Sequence, residues 1–373
     1  MLGIVGGAKI RDPSPECFRF SNISSNDVIS KAKTAKANMG GCLTHMSGEL
    51  YKRHIKVIAD ILATLFTHCL REGICPLELK YAVVTPVLKK GSPKTPNNYR
   101  PISNVPFLAK LLESLINDQV KIYLDQLFFI HPKQFGFRGK CNTSLALAHL
   151  QKYITKTWEE NKIVAAIFID VEKAFDSVDK SILLNILRQI KFSEEAVCFF
   201  DSYFYDRVQV TRNGNVTSEP MNIKLGTPQG TSLSPTLFTI FVNSLLNSSS
   251  LSPICFADDV SLLAPVNPND HQHSTSLINE LLTNIMRWYE THRLAINVSK
   301  TKVMVFSTRQ RSTPRLNDFI LNGTILQCVS TLKLLGMTLD TSLTFRSHIL
   351  NIVNTLKFII PSLGRLYNSG IPT

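Results

Sequence analysis

The stretch Phe256-Ala257-Asp258-Asp259 decides how this chain is interpreted. Apolar residues flank it on both sides, with Ile254-Cys255 before it and Val260 and Leu262-Leu263 after it, which predicts a hairpin with two acids at its turn. Adjacent carboxylates repel each other, and apolar neighbours raise the cost of leaving both charged. A hard divalent cation with oxygen ligands relieves that cost. On this pair alone, however, a solvated turn is the better interpretation.

A second acid, far upstream, changes that interpretation. The unbroken apolar run from Ile163 to Ile169 predicts a strand buried on both faces, and it ends at Asp170 before a helical pattern begins. A carboxylate at the end of a core strand needs a partner. Asp170, Asp258 and Asp259 together fit a site for two Mg²⁺ ions, the arrangement used for in-line phosphoryl or nucleotidyl transfer.

The length and charge narrow the class of protein. A chain of 373 residues allows two or three subdomains with a large core. The formal net charge of +13 favours a nucleic-acid partner over a merely basic soluble protein, because neutralising phosphates releases counterions. The eight cysteines lack metal-binding spacings and are interpreted as reduced thiols of an intracellular protein. No apolar stretch is long enough to cross a membrane, so no membrane partner is expected.

Apolar periodicity and turn residues predict the other elements. Residues 1–49 are expected to be a loosely ordered lead-in. Helices are predicted over 49–71, 105–127, 143–158, 194–206 and 276–294 and from about 347, strands over 79–88 and 303–306, and hairpins around Asn213-Gly214 and over 332–339.

Three further segments carry candidate chemistry. Lys89, Lys90 and Arg100 surround a turn, which fits phosphate contacts and a solvated basic turn equally well. The loop Gly226–Pro235 is a Gly-rich entry to a helix, where phosphate binding is one interpretation and contact of Gln229 with a base pair or sugar is another. Ser234 is predicted to cap that helix. Lys300 or Lys302 suits a general acid, although a solvated lysine is favoured without further context.

Taken together, these motifs resemble a reverse transcriptase of the non-LTR (LINE-type) retrotransposon group over roughly residues 75–350. Any one motif could arise by chance, but six or more in the family's order are hard to obtain otherwise. The matching segments are Ala82–Lys90, Asn98–Ser103, Gln134–Arg138, Phe168–Asp176, Gly226–Pro235, Phe256–Asp259, Asn297–Lys302 and Leu332–Asp340.

The resemblance implies an RNA-directed DNA polymerase that adds dNTPs to a DNA primer on an RNA template, in the nucleus or cytoplasm. It implies that two Mg²⁺ ions, with Mn²⁺ as an alternative, are held by the three aspartates and the backbone carbonyl of Val171. It makes Lys300 the first choice for the general acid and Lys302 the second, and Phe175 a steric gate against the ribose 2′-hydroxyl. The substrate-binding residues that it implies are Lys89 or Lys90, Arg100, Gln229, Gly230 and Phe256.

The implied fold class is α+β, a right-hand polymerase whose antiparallel palm sheet is backed by helices. The expected division is fingers over 50–165, palm over 166–320 with a fingers insertion at about 179–225, and primer grip and start of the thumb over 321–373. The thumb is expected to be truncated or absent, and no endonuclease domain is expected before the polymerase. These features suggest a fragment of a mobile-element polyprotein.

The sequence also departs from the family pattern. Gly40-Gly41-Cys42 lacks an acid that is usual there, Asp179 stands where histidine is common, and Thr231 stands where serine is common. The main alternative is therefore a catalytically silent, nucleic-acid-binding remnant, which the truncated ends favour and the intact acids oppose. A group II intron maturase shares the palm motifs and is a third alternative, but it should carry a basic segment after the thumb, and no such segment is expected for this protein.

Overall fold

The computed structural model describes residues 17–37, 46–89, 91–310, 316 and 318–368. The chain forms two compact units: one is built from the described residues up to Ile130 and from Val178–Phe241, and the other from His131–Ser177 and from the described residues after Phe241. Each unit mixes helices and sheet, so the α+β class is confirmed.

The elements follow in chain order. The helices are α1 (Ser25–Thr34), α2 (Gly48–Arg71), α3 (Phe107–Gln126), α4 (Thr143–Glu159), α5 (Lys180–Gln189), α6 (Glu194–Phe204), α7 (Ser234–Val242), α8 (His271–Thr291) and α9 (Arg346–Asn368). The strands are β1 (Tyr81–Leu88), β2 (Tyr99–Asn104), β3 (Ile163–Ile169), β4 (Val208–Asn213), β5 (Val216–Thr217), β6 (Met221–Asn222), β7 (Ser252–Phe256), β8 (Asp259–Val266), β9 (Lys302–Phe306), β10 (Ile320–Leu321), β11 (Thr324–Ile325), β12 (Gln327–Cys328), β13 (Thr331–Leu334) and β14 (Met337–Asp340).

The first unit is organised around a five-stranded sheet. Strand β1 pairs antiparallel with β2 and parallel with β4, and β4 pairs with the short strands β5 and β6. The hairpin predicted at Asn213-Gly214 is confirmed, because Asn213 pairs with Val216 and Gly214 has a φ of 60°. A φ in this region costs glycine little, which explains its place in the turn.

The lead-in is better ordered than predicted. Ser24 caps α1 by accepting a hydrogen bond from the backbone N–H of Asp27, whose carboxylate in turn accepts one from the N–H of Ser24. Phe18 is buried and its ring packs against Phe192. The expectation of a loose lead-in is therefore wrong for residues 17–37, where a capping box and aromatic packing supply the order. The rest of the predicted lead-in before residue 46 lies outside the described residues.

A charged cluster is buried in the first unit. The Oε1 atom of Glu113 on α3 accepts a hydrogen bond of 2.9 Å from the hydroxyl of Tyr203 on α6. The guanidinium of Arg207 lies 4.6 Å from the centroid of the Tyr203 ring. Burial raises the pKa of Glu113, and the positive charge of Arg207 acts in the opposite direction. This cluster ties α3 to α6 through polar contacts inside an otherwise apolar core.

The second unit is organised around the buried strand β3. The strand order of its sheet is β12-β9-β3-β8-β7, and every pairing except β12 with β9 is antiparallel. All seven residues of β3 are buried, as its unbroken apolar run predicts. Helix α4 contacts β3 and β7, and α8 contacts β8, so helices back this sheet.

The core of this unit joins three elements. Val164, Ala166 and Phe168 of β3 pack with Leu150 and Ile154 of α4 in one apolar cluster. The antiparallel hairpin of β13 and β14 also belongs to this cluster through Leu339. Helix α9 follows β14 and contacts it, and it carries a row of exposed apolar side chains, among them Phe358.

The observed units and the predicted subdomains divide the chain differently. The insertion predicted at about 179–225 does lie with the first unit, but that segment extends to Phe241. Residues 131–165, predicted as part of the fingers, lie in the second unit because α4 packs on β3 and β7. The predicted division follows from the order of the motifs in the resemblance, and this order does not indicate which sheet a helix covers.

Candidate active site

The two adjacent acids sit at the tight turn between β7 and β8. Phe256 pairs with Asp259 across this turn, which leaves Ala257 and Asp258 as its two central residues. Ala257 is buried and has a φ of 60°, a conformation that costs a residue with a Cβ about 1 kcal/mol. The turn is therefore strained at the residue just before the acids.

Asp170 lies next to this turn because of the strand register. Ile169, the last residue of β3, pairs with Val260 near the start of β8. The next step of the same antiparallel register places Asp170 opposite Asp259, and residues opposed in this way have Cα atoms about 5 Å apart. The sheet thus brings together two acids that are 89 positions apart in the sequence.

The segment 295–301 fixes the backbone of Asp170. The N–H of Asp170 donates to Oγ1 of the buried Thr301 at 3.3 Å, and its carbonyl accepts from the N–H of Asn297 at 2.8 Å. Val171 forms an isolated antiparallel bridge with Ile296. Hydrogen bonds to the segment 295–301 therefore fix the backbone of Asp170 and Val171.

The electrostatics of this cluster disfavour three negative charges. The pKa of Asp259 rises from 3.8 to about 6, mainly because of burial and then because of the charges of Asp258 and Asp170. The positive charge of Lys300 lies near Asp170, with its Nζ atom 4.0 Å from Oδ2 of that residue. The side chain of Lys300 is largely exposed and that of Asp170 is about half exposed, so water screens their attraction and its contribution is small.

We expect Asp259→Asn to stabilise the metal-free protein at neutral pH. The folded state holds the Asp259 proton to about pH 6 and the unfolded state only to about 3.8, so wild-type stability falls as the pH rises through this window. Because the side chain is partly exposed, we discount the gain in free energy of unfolding at pH 7 to about 1 kcal/mol. Urea denaturation in EDTA at pH 4 and pH 7 measures it, and an equal change at both values would contradict the prediction.

The donor chemistry of the cluster fits a hard divalent cation. Carboxylate and carbonyl oxygens are the ligands that Mg²⁺ prefers, and Asp170, Asp258, Asp259 and Val171 supply both kinds. Among the described residues, no three carboxylate, imidazole or thiol side chains already converge closely enough to hold a metal ion. Repulsion among the three carboxylates opposes such convergence until positive charge is present.

The two candidate lysines are held differently. Nζ of Lys302 donates hydrogen bonds of 2.6 Å to the carbonyl of Ser299 and to Oε1 of Gln327. Lys300 instead extends beside Asp170. Of the two, Lys300 is therefore the one whose side chain lies beside the acids.

Two aromatic side chains adjoin the acids. Phe175 is half-buried in a short 3-10 helix after Asp170, and its ring meets Phe137 edge to face with centroids 6.1 Å apart. Phe256 is half-buried against the apolar cluster of the second unit. Both aromatics thus belong to the same unit as the three aspartates.

The other predicted substrate-binding residues that the structure describes lie in the first unit. Arg100 is exposed on β2, where it pairs with Val87, and the N–H of Lys89 donates to the carbonyl of Asn98. Lys90 lies outside the described residues. The carbonyl of Gln229 accepts a hydrogen bond of 2.8 Å from the N–H of Ser103. Gly230 has a φ of 96°, and a Cβ built there would lie 3.3 Å from Ile102, so the loop runs close along β2.

Hydroxyl groups hold this loop in shape. The hydroxyls of Ser234 and Thr231 both donate to the carbonyl of Pro228, at 2.6 and 3.2 Å. The prediction that Ser234 caps α7 is therefore wrong, because its hydroxyl binds the loop and the helix begins at Ser234 itself. Serine is common at position 231 in the family pattern, and Thr231 provides the same hydroxyl group.

Asp179, the other described departure from the family pattern, has a local role. Its carboxylate accepts hydrogen bonds from the backbone N–H groups of Ser181 and Ile182 and so caps α5. The third departure, Gly40-Gly41-Cys42, lies outside the described residues.

Gln134 belongs to this site, although its sequence pattern assigns it no role. Its side chain is 1% exposed and hydrogen-bonds to the backbone of Ala257 in the turn that carries the acids. A glutamine between Lys133 and Phe135 gives no signal of burial, so only the fold reveals the contact.

Comparison with known proteins identifies the family. Residues 87–339 match the family model described as reverse transcriptase (RNA-dependent DNA polymerase). The chain belongs to this family. Among curated relatives, it is 31% identical over 77% of its length to a "Probable RNA-directed DNA polymerase from transposon BS" of Drosophila melanogaster, of which it covers 32%. It is 28% identical over 91% of its length to the "RNA-directed DNA polymerase from mobile element jockey" of Drosophila funebris, of which it covers 37%.

The chain is also similar to a protein of another type of retrotransposable element. The chain is 24% identical, over 78% of its length, to a "Retrovirus-related Pol polyprotein from type-1 retrotransposable element R2" of Popillia japonica, and covers 42% of it. The predicted resemblance to reverse transcriptases of non-LTR retrotransposons is confirmed. This reverse transcriptase chain spans about a third of the length of the first relatives it matches.

The structure also bears on membrane-spanning helices and on the state of the cysteines. Among the described helices, none has the length and apolar character needed to cross a membrane. The cysteines in the described part of the chain are free thiols.

Proposed function

We propose that this domain is an RNA-directed DNA polymerase that adds dNTPs to the 3′-hydroxyl of a DNA primer on an RNA template. The observation that carries the proposal is the strand register that places Asp170, the residue after β3, beside the Asp258-Asp259 turn. In a reverse transcriptase chain, acids drawn together from two distant segments of one sheet fit the metal ligands of nucleotidyl transfer. We place the protein in the nucleus or cytoplasm.

The aspartates and the carbonyl of Val171 would hold two divalent metal ions, Mg²⁺ or alternatively Mn²⁺. When bound, such ions lower the pKa of the primer hydroxyl and neutralise the charge that develops on the pyrophosphate. Nζ of Lys300 donates a proton to the leaving pyrophosphate. Phe256 supports the turn from the apolar side and helps to line the nucleotide site.

We assign the remaining substrate contacts to basic and glycine-rich segments of the chain. Arg100 and one of Lys89 or Lys90 bind the triphosphate, because guanidinium and ammonium groups suit phosphate oxygens. Gln229 and Gly230 line the pocket for the nucleotide and template base. In this proposal residues 50–165 and the insertion at about 179–225 form the fingers, the rest of 166–320 forms the palm, and 321–373 form the primer grip and the start of the thumb.

Primer extension tests this function directly. Purified protein is given a poly(A) template with an oligo(dT) primer, dTTP and Mg²⁺, beside an Asp258→Asn variant. Extension by the wild type that disappears in the variant supports the proposal. Folded wild-type protein that binds the primer–template but does not extend it would overturn the proposal in favour of the silent nucleic-acid-binding remnant.

We expect Phe175→Ala to admit ribonucleotides. An aromatic ring at this position would exclude the 2′-hydroxyl by contact, and removing it should lower the preference for dTTP over UTP about tenfold or more. The ratio of kcat/KM for the two nucleotides measures the effect. Phe128→Ala, which removes a ring that is 90% exposed on the other unit, is the control and should leave the ratio unchanged. An unchanged ratio in the Phe175 variant would remove the gate from the proposal.

A further inference from the structure

The side-chain amide of Gln134 is hydrogen-bonded through both of its ends to backbone at the acidic turn. Its Oε1 atom accepts from the N–H of Ala257 at 3.0 Å and from the N–H of Gly136 at 2.8 Å. Its Nε2 atom donates to the carbonyl of Ala257 at 3.3 Å. With the side chain 1% exposed, water does not compete for these bonds. Gln134 therefore satisfies both backbone groups of the residue that precedes Asp258.

The turn needs such an anchor for two reasons. Ala257 has a φ of 60°, which its Cβ disfavours, and the next two residues carry carboxylates close to a third, Asp170, which follows β3. Strand β7 is also the last strand of its sheet. A turn under strain and repulsion at the edge of a sheet relaxes unless contacts from outside the hairpin oppose it.

Backbone hydrogen bonds fix the segment that carries Gln134. The N–H of Phe135 donates to the carbonyl of Cys255 at 2.8 Å, and the N–H of Cys255 donates to the carbonyl of Lys133 at 2.9 Å, so this segment pairs with β7. Arg138 closes the loop by donating from one guanidinium nitrogen to the carbonyls of His131 and Gln134 at 3.2 and 3.3 Å. The amide of Gln134 is thus held at a fixed place beside the turn.

We propose that Gln134 is a positioning residue, which acts through the backbone of Ala257 to hold Asp258 and Asp259 in place beside Asp170. The inference rests on the proposed function, because it assigns those carboxylates to divalent metal ions. Residues that orient metal ligands typically change metal affinity or activity about 10- to 100-fold when they are lost. A glutamine that only filled space in the core would not change metal affinity.

The test compares Gln134→Met with Asn117→Leu. Each variant replaces a buried amide by an apolar side chain of similar size, but Asn117 lies in the other unit, where it accepts a hydrogen bond from Thr236. Binding of Mn²⁺ alone is followed by electron paramagnetic resonance. Hydrogen exchange of the peptide that contains Ala257 is followed by mass spectrometry. Neither readout requires polymerisation.

We expect Gln134→Met to weaken Mn²⁺ binding about tenfold or more and to speed exchange at Ala257, whereas Asn117→Leu leaves both unchanged. If the methionine variant does not fold, Gln134→Ala, which leaves room for a water molecule, is measured in its place with the same expectation. Lower thermal stability with Mn²⁺ affinity and exchange as in the wild type would overturn the proposal. A wild type that binds Mn²⁺ but does not extend a primer would count against the proposed polymerase and leave this comparison intact.

Discussion

We expect Asp170→Asn to reduce primer extension by a factor of about 1,000 or more while the domain keeps its fold. Asparagine has nearly the same shape, so the loss is confined to the negative charge. The backbone bonds of this residue, from its N–H to Thr301 and to its carbonyl from Asn297, do not depend on the side chain. The variant should therefore melt like the wild type and bind a primer–template with similar affinity.

The matched control is Glu290→Gln. This change removes one negative charge from an exposed position on α8 in the same unit. Extension rates are compared at saturating template, dTTP and Mg²⁺, and binding is measured by fluorescence anisotropy. A loss of activity in Asp170→Asn of less than about tenfold relative to Glu290→Gln would exclude Asp170 from the metal ligands.

The sequence predicts the strand and the turn beside the acids well, because the burial of these elements follows from a local apolar pattern. The run from Ile163 to Ile169 is apolar at every position, and this is what a strand covered on both faces requires. An acid directly after it lies at the end of a core strand. The turn at Asp258 follows in the same way from two apolar runs that are separated by a short polar segment.

Contacts between distant segments could not be predicted from local pattern. The pairing of Ile169 with Val260 depends on the register of two strands, and no property of either strand alone specifies it. Helix α4 is visible as a periodic segment, but its place against β3 and β7 becomes known only from the fold. The order of residues 17–37 likewise depends on the contact of Phe18 with Phe192, a residue far along the chain.

The segment that holds Gln134 also makes a contact that local sequence pattern does not predict. Gly136 could be interpreted as a flexible loop residue, but the structure gives it a steric reason. A Cβ built on Gly136 would lie 2.1 Å from the backbone nitrogen of Ala257 and 2.8 Å from its Cα. The absence of a side chain therefore allows two stretches of backbone to approach each other at the acidic turn.

We expect Gly136→Ala to destabilise the domain by about 3 kcal/mol and to displace the turn that carries Asp258 and Asp259. The added Cβ is fixed to the backbone of residue 136 and collides with backbone atoms of Ala257, so no side-chain rotation can relieve the overlap. Gly139→Ala is the matched control, because a Cβ there meets nothing within 4 Å. Reducing the freedom of the unfolded chain should leave that variant as stable as the wild type or slightly more stable.

Urea denaturation and Mn²⁺ binding, measured on both glycine variants, separate two effects. The loss of stability reports the overlap itself, whereas weaker Mn²⁺ binding by the folded fraction reports displacement of the acids. Gly136→Ala displaces the turn by steric overlap with Ala257, whereas Gln134→Met removes the hydrogen bonds to Ala257 without adding an overlap. Both variants should therefore weaken Mn²⁺ binding, but for different reasons. If Gly136→Ala behaved like Gly139→Ala in both measurements, the close approach of residues 134–136 to Ala257 would be wrong, and the positioning role of Gln134 would be wrong with it.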